Sequence, residues 1–211
     1  SCRTYYPYGI KVHNGIIYVS SYYDRRIRKI RVSDGACLGS IVPGQTYAYP
    51  RSIDIHNGHL YASTNRGLFT LNISNGASKI CPGTNRNEWR YSYTITGSGS
   101  YLYSHYSYRM YRGTLTSSGS NLCPTSVKNF YDSSMSYGYG MTAHPTNPNE
   151  LYFMSRGRNS IYKITVNSNG TGRTINWQKG RYGYNKTSTA TQNYFYYPWG
   201  IHYDDDNDRL I

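Results

Sequence analysis

Tyr8-Gly9-Ile10-Lys11-Val12-His13-Asn14-Gly15-Ile16-Ile17-Tyr18-Val19 aligns without a gap on Arg51-Ser52-Ile53-Asp54-Ile55-His56-Asn57-Gly58-His59-Leu60-Tyr61-Ala62. In both, alternating apolar residues run into His-Asn-Gly and out again to a Tyr. Asn-Gly suits a two-residue hairpin turn, because both central positions of that turn take positive φ. A third copy reads Tyr93-Thr94-Ile95-Thr96, a Gly/Ser turn, then Tyr101-Leu102-Tyr103. A fourth reads Gly140-Met141-Thr142-Ala143-His144, a Pro/Asn turn, then Glu150-Leu151-Tyr152-Phe153. A fifth begins at Pro198-Trp199-Gly200-Ile201-His202-Tyr203 and stops at Leu210-Ile211.

Inside each copy, short alternating runs are separated by Gly, Asn, Asp or Ser turns. The first copy predicts strands near 8–13, 16–20, 26–32 and 36–42. No segment carries an amphipathic helical period. Four short strands every ~40–50 residues is the blade signature of a β-propeller. The chain therefore reads as one all-β domain over residues 1–211. It has four full repeats of four antiparallel strands and a partial fifth, starting near 5, 47, 89, 137 and 194. A five- or six-bladed propeller follows. Residues before Tyr5 are expected to lend the fifth blade an outer strand, and a neighbouring chain is another way to complete it.

Pro7-Tyr8-Gly9-Ile10, a turn, Ile17-Tyr18-Val19 and Asp24-Arg25-Arg26-Ile27-Arg28-Lys29-Ile30 resemble the NHL repeat. Asn159-Ser160-Ile161-Tyr162-Lys163-Ile164 and Pro198-Trp199-Gly200-Ile201 match parts of that pattern. The resemblance implies a propeller whose first strands line an axis. It also implies that the loops entering those strands share one face with the loops between second and third strands. It does not imply a single activity, since such propellers host enzymes, RNA binders and scaffolds.

On that architecture the entry loops are aromatic: Tyr8, Tyr49, Trp89, Tyr91, Tyr139, Tyr197 and Trp199. The loops between second and third strands are basic: Arg25, Arg26, Arg66, Arg109, Arg156 and Arg158. Aromatic faces stack on sugar rings, and Arg pairs with carboxylate or sulfate. The same residues favour protein interfaces.

Composition bounds the rest. Of 211 residues, 23 are Lys or Arg and 10 Asp or Glu, a formal charge of +13, and 27 are Tyr. Four of the acids fall at Asp204, Asp205, Asp206 and Asp208, so the body ahead of them carries +16. That cluster reads as a polar hairpin turn, with calcium or a docking patch for a second copy as further readings. His13, His56 and His144 recur at one turn and are weak metal candidates. A metal-dependent, zinc-using lyase of the NHL kind is the enzyme alternative. Catalytic constellations are otherwise poor, so no enzyme and no cofactor are expected.

Cys2, Cys37, Cys81 and Cys123 lack zinc spacing and predict two disulfides of open connectivity. Asn72, Asn169 and Asn185 head glycosylation sequons. With a start at Ser1-Cys2-Arg3 that lacks a signal peptide, the chain reads as the mature or trimmed form of a secreted glycoprotein. No apolar run approaches the length of a membrane span. The leading expectation is a structural module that self-associates in an extracellular matrix or filament. Contacts would use the Tyr/Arg face, the acidic turn and open blade edges. A lectin-like module for acidic glycans is the alternative, and nucleic acid is disfavoured as a partner.

Overall fold

A computed structural model describes residues 2–44, 47–84, 88–182, 194–195, 197–204 and 206–211. Among them the only helix is a single 3-10 turn, Ser133–Met135. The first sheet contains β1 (Pro7–His13), β2 (Ile16–Ser21), β3 (Arg26–Arg31) and β4 (Cys37–Ile41). The second contains β5 (Ile53–His56), β6 (His59–Thr64), β7 (Gly67–Asn72) and β8 (Ser78–Ile80). The third contains β9 (Thr94–Ser98), β10 (Tyr101–Tyr106), β11 (Arg109–Ser118) and β12 (Asn121–Tyr131). The fourth contains β13 (Gly138–Ala143), β14 (Glu150–Ser155), β15 (Ser160–Val166) and β16 (Arg173–Lys179). Each is an antiparallel meander of consecutive strands. β17 (Arg181–Tyr182) pairs in parallel with β18 (Tyr194–Phe195). β19 (Tyr203–Asp204) and β20 (Arg209–Leu210) form the hairpin of the fifth repeat.

The hairpin turns obey local chemistry. Asn14 and Gly15 have φ of 47° and 71°, and Asn57 and Gly58 have 47° and 70°, as the two-residue turn requires. The imperfect alternation of Ile27 to Val32 also has a cause. The β3–β4 register shifts between Lys29 and Ile30, so Ile27 is fully buried while Ile30 is only half-buried.

The core is divided into three layers, one between each pair of consecutive sheets. Tyr18 and Ile27 of the first sheet pack on Ile53, Leu60, Ala62 and Phe69 of the second. Tyr61 and Leu68 then meet Ile95 and Leu102 of the third, with Trp89 between them. Tyr103, Met110 and Phe130 meet Met141, Phe153 and Tyr162 of the fourth. The first strands sit side by side. A Cβ on Gly9 would lie 3.0 Å from Ile53 N, and one on Gly140 would lie 2.9 Å from Ile201 N, so a side chain at Gly140 would force a shift and one at Gly9 would press on its neighbour. Asp54 ties three repeats together: its carboxylate, 5% exposed, pairs with Lys11 Nζ at 2.9 Å and accepts from Gly97 N at 2.7 Å.

The four sheets are blade-like in this stacking. One element departs from expectation. Residues 2–4 form no strand, and Cys2 is bonded to Cys37 on β4. The N-terminal segment is therefore held to the first sheet rather than lent to the fifth repeat. The second disulfide, Cys81–Cys123, joins the outer edges of the second and third sheets. Two disulfides are compatible with an extracellular protein. Among the described residues no helix is long and apolar enough to cross a membrane.

Among the described residues the array is uncovered on one side. Ile10 is 63% exposed, whereas Ile53, Ile95 and Met141 in the same slot are 3%, 2% and 4% exposed. In each of those three repeats the preceding sheet covers the residue. On the fifth repeat, a Cβ at Gly200 would meet nothing within 4 Å.

A buried histidine makes the fold acid-labile. His105 takes the β10 slot that Ser20 and Ser63 take on β2 and β6. Ser20 and Ser63 hydroxyls donate to Arg51 O and Ser92 O, in the next repeat's entry loop. His105 is fully buried against Phe153, beside the backbone of Met135 and Gly138, and neither ring nitrogen makes a well-formed hydrogen bond. Burial pushes its pKa down to about 3. An unfolded chain protonates this histidine near pH 6.5 while the folded one does not, so stability falls as pH drops below that value. At about 1.4 kcal/mol per pH unit, roughly 2 kcal/mol is lost by pH 5. Urea midpoints measured between pH 7.5 and pH 5 should show this slope, and His105→Gln should flatten it.

Candidate functional site: an aromatic and guanidinium mouth

The residue just before the small residue (Gly9, Ser52, Thr94, Gly140 or Gly200) of each repeat's first strand is Tyr8, Arg51, Tyr93, Tyr139 or Trp199. All five converge. With Tyr6 and Pro7 they line a cavity of about 460 Å³. Four of them also line a second cavity of about 550 Å³, whose walls include Ile10, Ile53, Ile95, Met141 and Ile201. One residue from each of the five repeats thus forms the rim of a mouth above an apolar well.

The rings touch. Tyr93 and Tyr139 centroids are 4.7 Å apart, and Tyr139 and Trp199 are 4.5 Å apart. The Arg51 guanidinium lies between Tyr8 and Tyr22 on one side and Tyr91 and Tyr93 on the other, 5.3–5.8 Å from each centroid. Arg156 sits 4.6 Å from Trp199, 4.8 Å from Tyr197 and 5.3 Å from Tyr139. Arg25 sits 4.4 Å from Tyr47 and 5.2 Å from Tyr49. Cation–π contact stabilises each guanidinium without neutralising it. The ion pairs among the described residues involve none of these three arginines. Their buried Nε atoms also lack a hydrogen-bond partner there. Burial, with the neighbouring Tyr139 next, holds the Tyr93 hydroxyl above its ordinary pKa.

The entry loops are also conformationally unusual. Tyr6, Tyr91, Tyr137 and Tyr197 occupy one slot, three residues before the small residue, and have φ of 55°, 60°, 49° and 47°. Tyr47, in the remaining loop, has 69°. A bulky residue in the left-handed region is strained by about 1–2 kcal/mol. The loops are pinned in that shape by the preceding repeat. Tyr91 N donates to Thr64 O, Tyr137 N to Ser107 O, and Tyr197 N to the Asn159 side chain. Entry loops and second-to-third-strand turns therefore share a face, as the repeat pattern implies.

Of the sequence-derived candidates, Tyr8, Tyr139 and Trp199 are rim residues, and Tyr49, Tyr91, Tyr197, Arg25 and Arg156 flank them. Trp89 is not part of the face. It is 1% exposed and packs with Tyr61, Leu68 and the Cys81–Cys123 disulfide, because its loop folds inward five residues ahead of the strand. Arg26, Arg66 and Arg158 are exposed and stand off the rim; Arg26 bonds Ser40, and Arg158 reaches Ser133 O at 3.5 Å. Arg109 lies over Tyr131 in a separate lateral cavity. Arg51, Tyr22 and Tyr93 were not singled out. The repeat alignment already carried the signal, since Arg51 stands where the other copies have an aromatic.

The acidic turn is largely spent on itself. Asp204 accepts from Asn207 at 2.9 Å and pairs with Arg209 at 3.0 Å, and those contacts, Asn207 first, hold its carboxyl below the usual range. Asp208 accepts from the Tyr203 hydroxyl. Asp206 is exposed, and Asp205 lies outside the described residues. The histidine turns do not converge either. His56 Nε2 sits 2.8 Å from Gly99 O and His144 Nε2 3.6 Å from Glu150, while His13 lines a shallow pocket with Asn57. Among the described residues no three His, Cys, Asp or Glu side chains gather as a metal site. Asn72 donates to Ser120 O in the next sheet, Asn169 is exposed in a turn, and Asn185 lies outside the described residues.

The chain matches no protein-family model and no curated protein. Solved structures do share its fold. A Bacteroides uniformis protein described as "a putative 6-phosphogluconolactonase" has a TM-score of 0.61 at 13% identity, covering 81% of this chain and 53% of that one. A chain of the mitotic checkpoint complex has 0.57 at 11% identity, covering 83% and 52%. A functionally unknown protein from Desulfotomaculum acetoxidans has 0.59 at 15% identity, covering 82% and 62%. The chain thus spans about half to three-fifths of these neighbours, and the likeness concerns fold alone. It does correct the expectation of a protein that is no enzyme. That reading leaned on the scarcity of catalytic constellations, and the same sheet arrangement is found in a protein described as a lactonase.

Proposed function

We propose that the blade-like repeats belong to a β-propeller, NHL-like in its repeat pattern, that acts outside the cell as a binding module for acidic glycans. The single observation that carries this reading is the recurring left-handed Tyr of the entry loops. Gly or Asn fits that backbone with less strain, so a repeated Tyr there argues for a side chain kept for contact rather than for folding. Arg51 and Arg156, which form no ion pair among the described residues, supply the preference for carboxylate or sulfate. The mouth's contacting, tilted rings supply faces for a sugar. Arg51→Gln should weaken binding of a uronate-containing glycan at least about tenfold, and raising salt should weaken the wild type similarly. Unchanged affinity on both counts contradicts the reading.

A second reading, self-association into an extracellular matrix or filament, is favoured by the uncovered face at Ile10. Every internal repeat buries that slot against its neighbour, so a second copy would satisfy it. Head-to-tail contacts of this kind propagate or close into rings. Wild-type protein should then associate with rising concentration at low salt, and Ile10→Asp should reduce the association constant about tenfold or more. Sedimentation showing a monomer at every concentration removes this reading.

A further inference from the structure

Beside the mouth is a cavity of about 250 Å³ between Tyr106, Tyr108, Arg109, Tyr111 and Tyr131. It is not an isolated dent. Tyr106 stacks on Tyr93 of the rim, with centroids 6.0 Å apart and planes at 15°. Trp199, Tyr139, Tyr93 and Tyr106 therefore form a continuous aromatic track leading from the mouth into the lateral cavity. On its far side Tyr108 contacts both Tyr131 and the left-handed Tyr137, at 6.0 Å each. Tyr131 is 62% and Tyr137 49% exposed, so two ring faces stay open to a ligand.

The two ends differ in charge. The mouth holds Arg51 and Arg156 without a carboxylate partner among the described residues. The lateral cavity holds one guanidinium, Arg109, which donates to Asn129 at 2.9 Å. The other lining residues are Tyr106, Ser107, Tyr108, Tyr111 and Tyr131, which all bear hydroxyls. Such a lining suits the hydroxyls of an uncharged ring better than an anion.

We infer that mouth and lateral cavity are successive subsites for one linear oligosaccharide, with an acidic unit at Arg51 and a neutral ring between Tyr106 and Tyr131. The inference rests on the glycan reading of the mouth and goes further, to ligand length and charge pattern. A single-stranded nucleic acid would also stack along aromatics, but it carries a charge at every unit, and the lateral cavity offers a single guanidinium, Arg109, already hydrogen-bonded to Asn129.

Hyaluronan oligosaccharides, which alternate uronate with an uncharged amino sugar, provide the probe, and glucuronate provides its minimal fragment. Calorimetric titration should show affinity rising at least about tenfold from glucuronate to the hexasaccharide. The increment should survive high salt, while glucuronate binding should not. Tyr131→Ala, at an exposed position, should erase the increment and leave glucuronate binding intact. An increment that persists in both Tyr131→Ala and Tyr108→Ala overturns the lateral subsite while sparing the mouth. Glucuronate and hexasaccharide binding that are both indifferent to Arg51→Gln overturn the mouth reading itself. Oligothymidylate competing more strongly than the hexasaccharide overturns the glycan class.

Discussion

Trp89→Ala will destabilise the protein by about 3–5 kcal/mol, the range for emptying a fully buried aromatic site, and will leave the charge of the mouth unchanged. Trp89 is 1% exposed and stands between Tyr61 and Leu68 of one sheet and Ile95 and Leu102 of the next. Its ring also backs Gly113, where an added Cβ would come within 3.0 Å of the indole. Neighbouring strands are fixed by their ladders and by Cys81–Cys123, so they cannot collapse into the vacated volume, and the cavity term is retained in full. Chemical denaturation should find a lower midpoint with an unchanged slope. An unfolding free energy within about 1 kcal/mol of wild type would mean that the indole is a surface group after all.

That residue marks where sequence reading ended. The strands were legible because Asn-Gly turns and alternating apolar residues act locally: β1 to β4 fall within a residue or two of where the pattern puts them. The rim was legible at Tyr8, Tyr139 and Trp199, which repeat at a fixed offset from a strand. Trp89 does not share that offset, and whether a loop residue turns in or out depends on the neighbouring sheet. Arg51 shares the offset but not the residue type, so a search for aromatics passed over it. His105 fell outside the histidine turns that drew notice; its slot becomes meaningful only when Ser20 and Ser63 are seen bonding the next repeat. The acidic turn reads first as a polar hairpin turn, which is what β19 and β20 form; the docking patch is a further reading because sequence shows charge but not pairing, and Arg209 with Asn207 engages Asp204.

The second large effect concerns the left-handed tyrosines. Replacing Tyr6 and Tyr137 together by Asn relieves backbone strain at both sites, since Asn tolerates positive φ. It removes the Tyr6–Tyr23 contact at 4.8 Å and the Tyr108–Tyr137 contact at 6.0 Å, each worth about 0.5–1.5 kcal/mol. The two effects nearly cancel, so stability should stay within about 1 kcal/mol of wild type. Binding has no such compensation. Tyr6 is a rim residue and Tyr137 borders the lateral cavity; losing two aromatic contact residues should weaken an acidic oligosaccharide about a hundredfold. An ordinary structural role would give the reverse pattern, with lost stability and no specific effect on a ligand.

The affinity of the Tyr6→Asn, Tyr137→Asn variant for a hyaluronan hexasaccharide, titrated beside its melting temperature, tests the central claim most directly. The account predicts binding about a hundredfold weaker in a protein that melts within a few degrees of wild type. Wild-type affinity in a variant that melts far lower would contradict it.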